Sequence, residues 1–176
     1  VQFGLWGMSI HSLGTEKHYA KYLKDVGTLK LPGCFAMTET NHGSNVKGLE
    51  TTATYNHDNQ TFTIHTPHEK AQKEYIGNAA VHGQMATVFA KLIIGDIDYG
   101  VNAFIVPIRD SNSVILRGIT INDCGQKMGL LTMDWVIPAL NFTFGIDKSA
   151  NKTVPKGLLN VVSMIFWSLM LSRVVR

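Results

Sequence analysis

Between residues 31 and 117 the chain is a succession of short β-prone runs divided by turn formers: CFAM (34–37), TTATYN (51–56), TFTIHT (61–66), TVFAKLII (87–94), VNAFIVPI (101–108) and VILRGI (114–119). Apolar runs of this length, bounded by Gly, Asn, Asp and Pro, are too short for amphipathic helices and have the composition of strands. Their close spacing predicts an antiparallel sandwich or barrel, with the mainly-β part of the chain built from local strand pairings. The alternating runs 51–55 and 61–65 flank His57, Asp58, Asn59 and Gln60, which read as a hairpin turn.

Helical patterning is confined to the ends. Thr15 can cap a helix, Glu16 falls in its first turn, Tyr19, Ala20, Leu23 and Val26 recur at helical spacing, and Gly27 can close it. Lys17, Lys21 and Lys24 form its solvated face. At the other end, residues 158–171 are apolar but interrupted by Asn160, Ser163 and Ser168, too short a run for a bilayer span of about 20 residues. A core helix, or the beginning of a helical domain, is expected there. At 176 residues the chain can hold one domain with a sizeable core plus pieces of neighbours.

A net charge of +3 without a basic run gives no reason to expect nucleic-acid binding. Cys34 and Cys124 have no metal-like spacing and fit free thiols in a reducing compartment, and the seven histidines show no ligand pattern either. The N-terminus carries neither an initiator Met nor a basic-then-apolar leader, so the chain is expected to begin inside a longer protein. Three Asn-x-Thr triplets, at Asn59, Asn141 and Asn151, are then coincidental.

Two stretches carry candidate chemistry. After the apolar run 34–37 the sequence gathers Thr38, Thr40, Asn41, Gly43, Ser44, Asn45 and Gly48. Such a loop at a strand end presents backbone N–H groups and short donors, with glycines that let a ligand approach the main chain, and this suits a polar cofactor edge or a pyrophosphate. A nucleotide-triphosphate loop is disfavoured, because no Lys-Ser or Lys-Thr pair follows the glycines. A plain polar turn fits the same residues equally well. The second stretch, KEYIGNAAVHG (73–83), passes from a strand-like start into small residues around Gly77, and by itself is again a tight turn.

The segment TE (38–39) followed by HGSNVKGLETTATY (42–55) resembles the flavin-binding segment of the acyl-CoA oxidases, within the wider acyl-CoA dehydrogenase group. The stretch 73–77 is similar to the family's Lys-Trp-Trp-Ile/Pro-Gly, with Glu74 and Tyr75 at the two Trp positions, and DCGQKMGL (123–130) resembles its D-C-G-x-K-x-G-L signature. The likeness runs from Ser9 to Leu130. Beyond it the family's I-P-R-x-N-L-L-N segment has only a displaced echo in Val154, Pro155, Lys156 and residues 158–160.

The resemblance implies a middle β-domain of the acyl-CoA dehydrogenase type over 31–157, following the end of an N-terminal helical domain (1–30) and preceding an apolar helix (158–176). It implies FAD as cofactor, with Ala36, Met37 and Thr38 at the pyrimidine edge of the flavin, Gly43 and Ser44 at the pyrophosphate, and Tyr75, Ile76 and Gly77 beside the ring. Ser44 would also meet the thioester arm of an acyl-CoA substrate. Gly77 matches a position that is Gly in oxidases and Thr in dehydrogenases, where a missing side chain leaves room for O2 beside flavin N5. The expected activity is oxidation of acyl-CoA to trans-2-enoyl-CoA with reduction of O2 to H2O2 in fatty acid β-oxidation. The catalytic Glu base would come from a C-terminal helical domain that no segment here matches, so the chain by itself should not turn over. Full-length relatives imply a homodimer and, in eukaryotes, a peroxisome, although the chain ends in Val-Val-Arg rather than a Ser-Lys-Leu type address. A dehydrogenase using an electron carrier, and a silent β-domain that binds no flavin, are the competing readings.

Overall fold

The computed structural model describes residues 1–123 and the backbone of residues 136–145. Helix α1 comprises a π-type turn over Gln2–Gly7 continuing as α-helix over Met8–Leu13; helix α2 is built from Glu16–His18, Tyr19–Leu23 and Lys24–Gly27. Gly14 separates them, and the expected cap is present: the Thr15 backbone N–H donates to His18 Nδ1 at 3.1 Å, and the Thr15 hydroxyl lies 2.9 Å from the same nitrogen. The segment α1–α2 packs directly on the sheet rather than standing apart. Gln2 Oε1 accepts from Gly33 N at 2.9 Å, and Trp6, Ile10 and Val26 form a cluster with Leu31, Met85 and Ile105.

Seven strands follow: β1 (Gly33–Ala36), β2 (Thr52–Asn56), β3 (Thr61–His65), β4 (Met85–Ile94), β5 (Ile97–Pro107), β6 (Ile119–Asp123) and β7 (Val136–Gly145). They form one sheet in the order β1-β4-β2-β3-β7-β6, with β5 paired to β4. The β2–β3 hairpin forms at the turn read from sequence, with Asn56↔Thr61 as its last pair. Its turn is held by Asn56 Oδ1, which accepts from Asp58 N at 2.9 Å.

One expectation is corrected and another is met only in part. The sheet is mixed, because β1 and β2 both run parallel to β4. Hydrophobic alternation marks a strand but not its direction, which here is set by the long connections between these strands. Nor does the described sheet close into a barrel; its path ends at β1 and β6. A third difference is local. Of the run 114–119 only Ile119 belongs to a strand, because Asp110 Oδ1 accepts from Asn112 N and Val114 N, both at 2.9 Å, and folds the segment back so that Leu116 N donates to Ile108 O. Strand β6 starts only after Gly118, which has φ +86°. The D-C-G-x-K-x-G-L signature beyond Asp123, Cys124 and the apolar segment 158–176 lie outside the described residues.

Strand β4 is the spine. Ala86, Val88 and Ala90 face one core cluster with Cys34, Ala36, Ala53 and Ile64; Met85 and Phe89 face the opposite side, where α1 and α2 pack. A strand covered on both faces reads as a nearly continuous apolar run, as TVFAKLII does. Gly33 is where the helices meet this sheet. A Cβ there would lie 2.4, 2.5 and 2.6 Å from three atoms of the fully buried Trp6 indole. Gly33→Ala should therefore lower stability by about 1–3 kcal/mol through overpacking, read as a lower urea midpoint.

Candidate functional site

β5 occupies one edge of β4 along its length, so β1 and β2 must share the other. β1 pairs with β4 as far as Ala36↔Val88 and β2 begins at Thr52↔Lys91, leaving Phe89 and Ala90 between two diverging strand ends. Buried carbonyls in such a split need partners from outside the ladder. Lys73 supplies them. Its side chain is fully buried, and Nζ donates to Phe89 O at 2.7 Å, Met37 O at 3.0 Å and Glu39 Oε1 at 3.1 Å, using the whole donor capacity of an ammonium.

Glu39 is equally committed. Oε1 accepts from Thr51 N at 2.9 Å, Thr51 Oγ1 at 2.6 Å and Lys73 Nζ; Oε2 accepts from Glu50 N at 2.8 Å and lies 3.3 Å from His42 Nδ1. The carboxylate thereby closes the hydroxyl-rich loop, joining its first turn to backbone amides eleven and twelve residues further on. At the rim, His42 Nε2 lies 3.7 Å from Glu50 Oε1, and His68 Nε2 lies 2.6 Å from Glu50 Oε2.

The main chains of the two candidate stretches run together here. Glu39 and Lys73 form an antiparallel bridge, Thr40 N donates to Gln72 O, Asn41 N to Lys70 O and Glu74 N to Thr38 O, each at 3.0 Å. This zipper brings Thr38 to the start of the 75–77 turn, and Ala36 packs in the same core cluster as Ile76. Ile76 is buried with Cys34 and Ala36 around an apolar cavity of about 10 Å³, enough for one water-sized body. Tyr75 is exposed and left-handed at φ +59°, and Asn78 at φ +71° anchors the turn by donating Nδ2 to Gly33 O at 3.0 Å. Arg109 fixes the next bend: Nη1 donates to Ala79 O and Gly83 O at 2.7 Å, Nη2 to Ala80 O at 2.6 Å. Gly43 and Ser44 sit at the exposed tip of the first loop, which the Asn45 side chain stiffens by accepting from Gly48 N at 3.2 Å.

Burial alone would raise the Glu39 pKa, but the Lys73 ammonium, the Thr51 hydroxyl and the amides of Glu50 and Thr51 outweigh it and hold the carboxyl below its ordinary value. Burial lowers Lys73 to about 8, against the opposing pull of Glu39, so the pair is ionised at neutral pH. For Glu39 the folded pKa lies below the unfolded one, so its contribution to stability is complete above the ordinary carboxylate range and is lost as pH falls through the folded value. The urea midpoint should drop below about pH 5, and Glu39→Gln should flatten that part of the profile. Burial pushes the Cys34 thiol up to about 12, so it is an inert core residue.

Glu39, Lys73, Thr51 and Arg109 were not singled out from the sequence as parts of the site. Charged residues beside turns look like solvated surface, and only their burial separates them from Lys17 or Lys24. Among the described residues no group of three or more His, Cys, Asp or Glu is arranged to hold a metal, and no helix is long and apolar enough to cross a membrane.

Among the described residues nothing bonds the hydroxyl or amide N–H of the half-buried Thr38, while its carbonyl is fixed by Glu74 N. A Cβ at Gly43 would meet nothing within 4 Å, so the loop tip is open to a ligand. On the Cβ side of Gly77 the room is shared with Val1, whose Cγ2 would lie 2.8 Å from an added Cβ. The first loop thus offers unbonded donors at Thr38 and open space at Gly43, which suit a polar ligand edge, whereas Val1 fills the space on the Cβ side of Gly77.

Residues 34–141 match the family model of the acyl-CoA dehydrogenase middle domain, and the chain belongs to that family. Within it, the chain is 53% identical over 141 residues to acyl-coenzyme A oxidase 2, peroxisomal, of Arabidopsis thaliana, a match covering 76% of this chain and 20% of the relative. Acyl-CoA oxidase 1 of Yarrowia lipolytica superposes with a TM-score of 0.77 at 41% identity, over 80% of this chain and 21% of that one. Acyl-CoA oxidase-2 of Caenorhabditis elegans, solved with FAD, ascaroside-CoA and ATP, superposes with a TM-score of 0.79 at 34% identity, over 82% and 22%. The chain thus spans about a fifth of the length of these relatives.

Proposed function

We propose that the chain is the flavin-binding middle part of an acyl-CoA oxidase that converts acyl-CoA to trans-2-enoyl-CoA and reduces O2 to H2O2 in fatty acid β-oxidation. The observation that carries this reading is the convergence of the two loops: Thr38, with free donors, lies beside the Tyr75–Gly77 turn because Glu74 N bonds Thr38 O. FAD, when bound, supplies the hydride acceptor, and the protein's part is to hold and orient it. Ala36, Met37 and Thr38 present main-chain and hydroxyl groups to the pyrimidine edge, where a donor stabilises negative charge that builds on reduction. Gly43 and Ser44 receive the pyrophosphate, with Ser44 also near the thioester arm of the substrate. Tyr75, Ile76 and Gly77 flank the ring.

The α-proton must go to a carboxylate. Glu39 is unsuited, since all its lone pairs are engaged, and a Glu from a helical domain outside these residues takes that role. In this reading residues 1–30 end an N-terminal helical domain, 31–157 form the β-domain, closing as a barrel in the full-length protein, and 158–176 lead into a further helical region. The full-length protein would be a peroxisomal homodimer. Absence of a side chain at Gly77 favours the oxidase over a carrier-linked dehydrogenase. With an acyl-CoA substrate and air, the full-length protein should release peroxide in proportion to substrate oxidised. Reduction of an electron carrier without peroxide would replace oxidase by dehydrogenase, and a protein purified without flavin would overturn the reading.

A further inference from the structure

We infer that the buried Glu39–Lys73 pair is the positioning element of the flavin site, a role that rests on the flavin reading above. Three pieces of chain are expected to touch the cofactor, and this one pair holds all of them. Lys73 Nζ bonds Met37 O, fixing the peptide that carries the Thr38 N–H. Glu39 draws in the amides of Glu50 and Thr51, which closes the loop bearing Gly43 and Ser44. The Glu39–Lys73 backbone bridge sets the Tyr75–Gly77 turn alongside. Neither charged group is exposed to solvent, and neither has a spare hydrogen-bonding position with which to touch a ligand. Their action on the flavin is therefore through the loops. A hydrogen bond from an ammonium to the Met37 carbonyl also polarises that peptide and makes the Thr38 N–H a stronger donor, which favours the reduced, more negative flavin over the oxidised one.

A merely structural pair would be replaceable by neutral side chains of similar size, often without loss of stability. The double variant Lys73→Met/Glu39→Gln separates the two roles in the full-length, flavin-loaded protein. Its urea midpoint should stay close to that of the unaltered protein, while the FAD dissociation constant rises about tenfold or more. The reduced flavin should lose about tenfold more affinity than the oxidised one, a fall of about 30 mV in the two-electron potential. In the unaltered protein, adding FAD should slow amide exchange at Glu50, Thr51 and Glu74, a measurement that decides the matter if the double variant does not fold. A folded double variant with unchanged FAD affinity and potential, or amide exchange indifferent to FAD, overturns the inference and leaves the functional reading intact. Failure of the unaltered full-length protein to bind FAD overturns both.

Discussion

Lys73→Met should destabilise the folded protein by about 3–5 kcal/mol, the largest loss expected from any single change at the site. The substitution keeps side-chain length and apolar volume but removes the ammonium bonded to Glu39 Oε1, leaving a carboxylate with 0% side-chain exposure that, among the described residues, faces only the His42 ring at 3.3 Å as a possible cation. It also strands the carbonyls of Met37 and Phe89 in the split between β1 and β2. Urea denaturation at pH 7 measures the effect, and adding Glu39→Gln should restore most of the loss, because the uncompensated charge is then gone. A single variant as stable as the parent would mean that water or another group reaches the split.

Arg109→Met should cost about 3 kcal/mol, the sum of partly compensated losses at three carbonyls, those of Ala79 and Gly83 buried and that of Ala80 partly so. Arg109 is 6% exposed and donates to Ala79 O, Ala80 O and Gly83 O, so it acts as a clamp on the bend that follows Gly77. Its effect should be graded. Arg109→Lys retains the charge but cannot reproduce the planar fork that spans three carbonyls, and should recover less than half of the loss. Besides the urea midpoint, proteolysis should show the consequence locally, with cleavage appearing first between Ala79 and Gly83. Loss of stability without new cleavage there would place the Arg109 contribution elsewhere, in packing against β5.

What was legible beforehand follows the range of each interaction. The β2–β3 hairpin depends on a turn of residues adjacent in the chain and on alternation within two short runs, so residues 51–65 contain nearly all of its determinants. Thr15 announces a helix start in the same way, because its cap involves a partner three residues along. The run 114–119 misled because its β-branched residues favour extended backbone equally in a strand and in the return arm of a turn. Asp110, whose carboxylate takes two amides, decides for the turn. Strand direction was not legible at all, since side-chain alternation is the same whichever way a neighbour runs.

For the site, composition marked the two loops as places where a ligand can approach backbone, and the family likeness said which ligand. Neither indicated what holds the loops together. Glu39 and Lys73 are separated by 34 residues, and in sequence nothing distinguishes them from the other carboxylates and lysines.

The sequence by itself determined the local pieces: capped helix, β-prone runs, a hairpin and two glycine-bearing loops, since propensity and turn chemistry act between near neighbours. Only the tertiary structure decided that β1 and β2 share one edge of β4 in parallel. The same arrangement opens a split between those strands and makes a buried ion pair its occupant. The physical reason is that a charge becomes structural only once folding has removed its water, and which partner then neutralises it depends on contacts far apart along the chain.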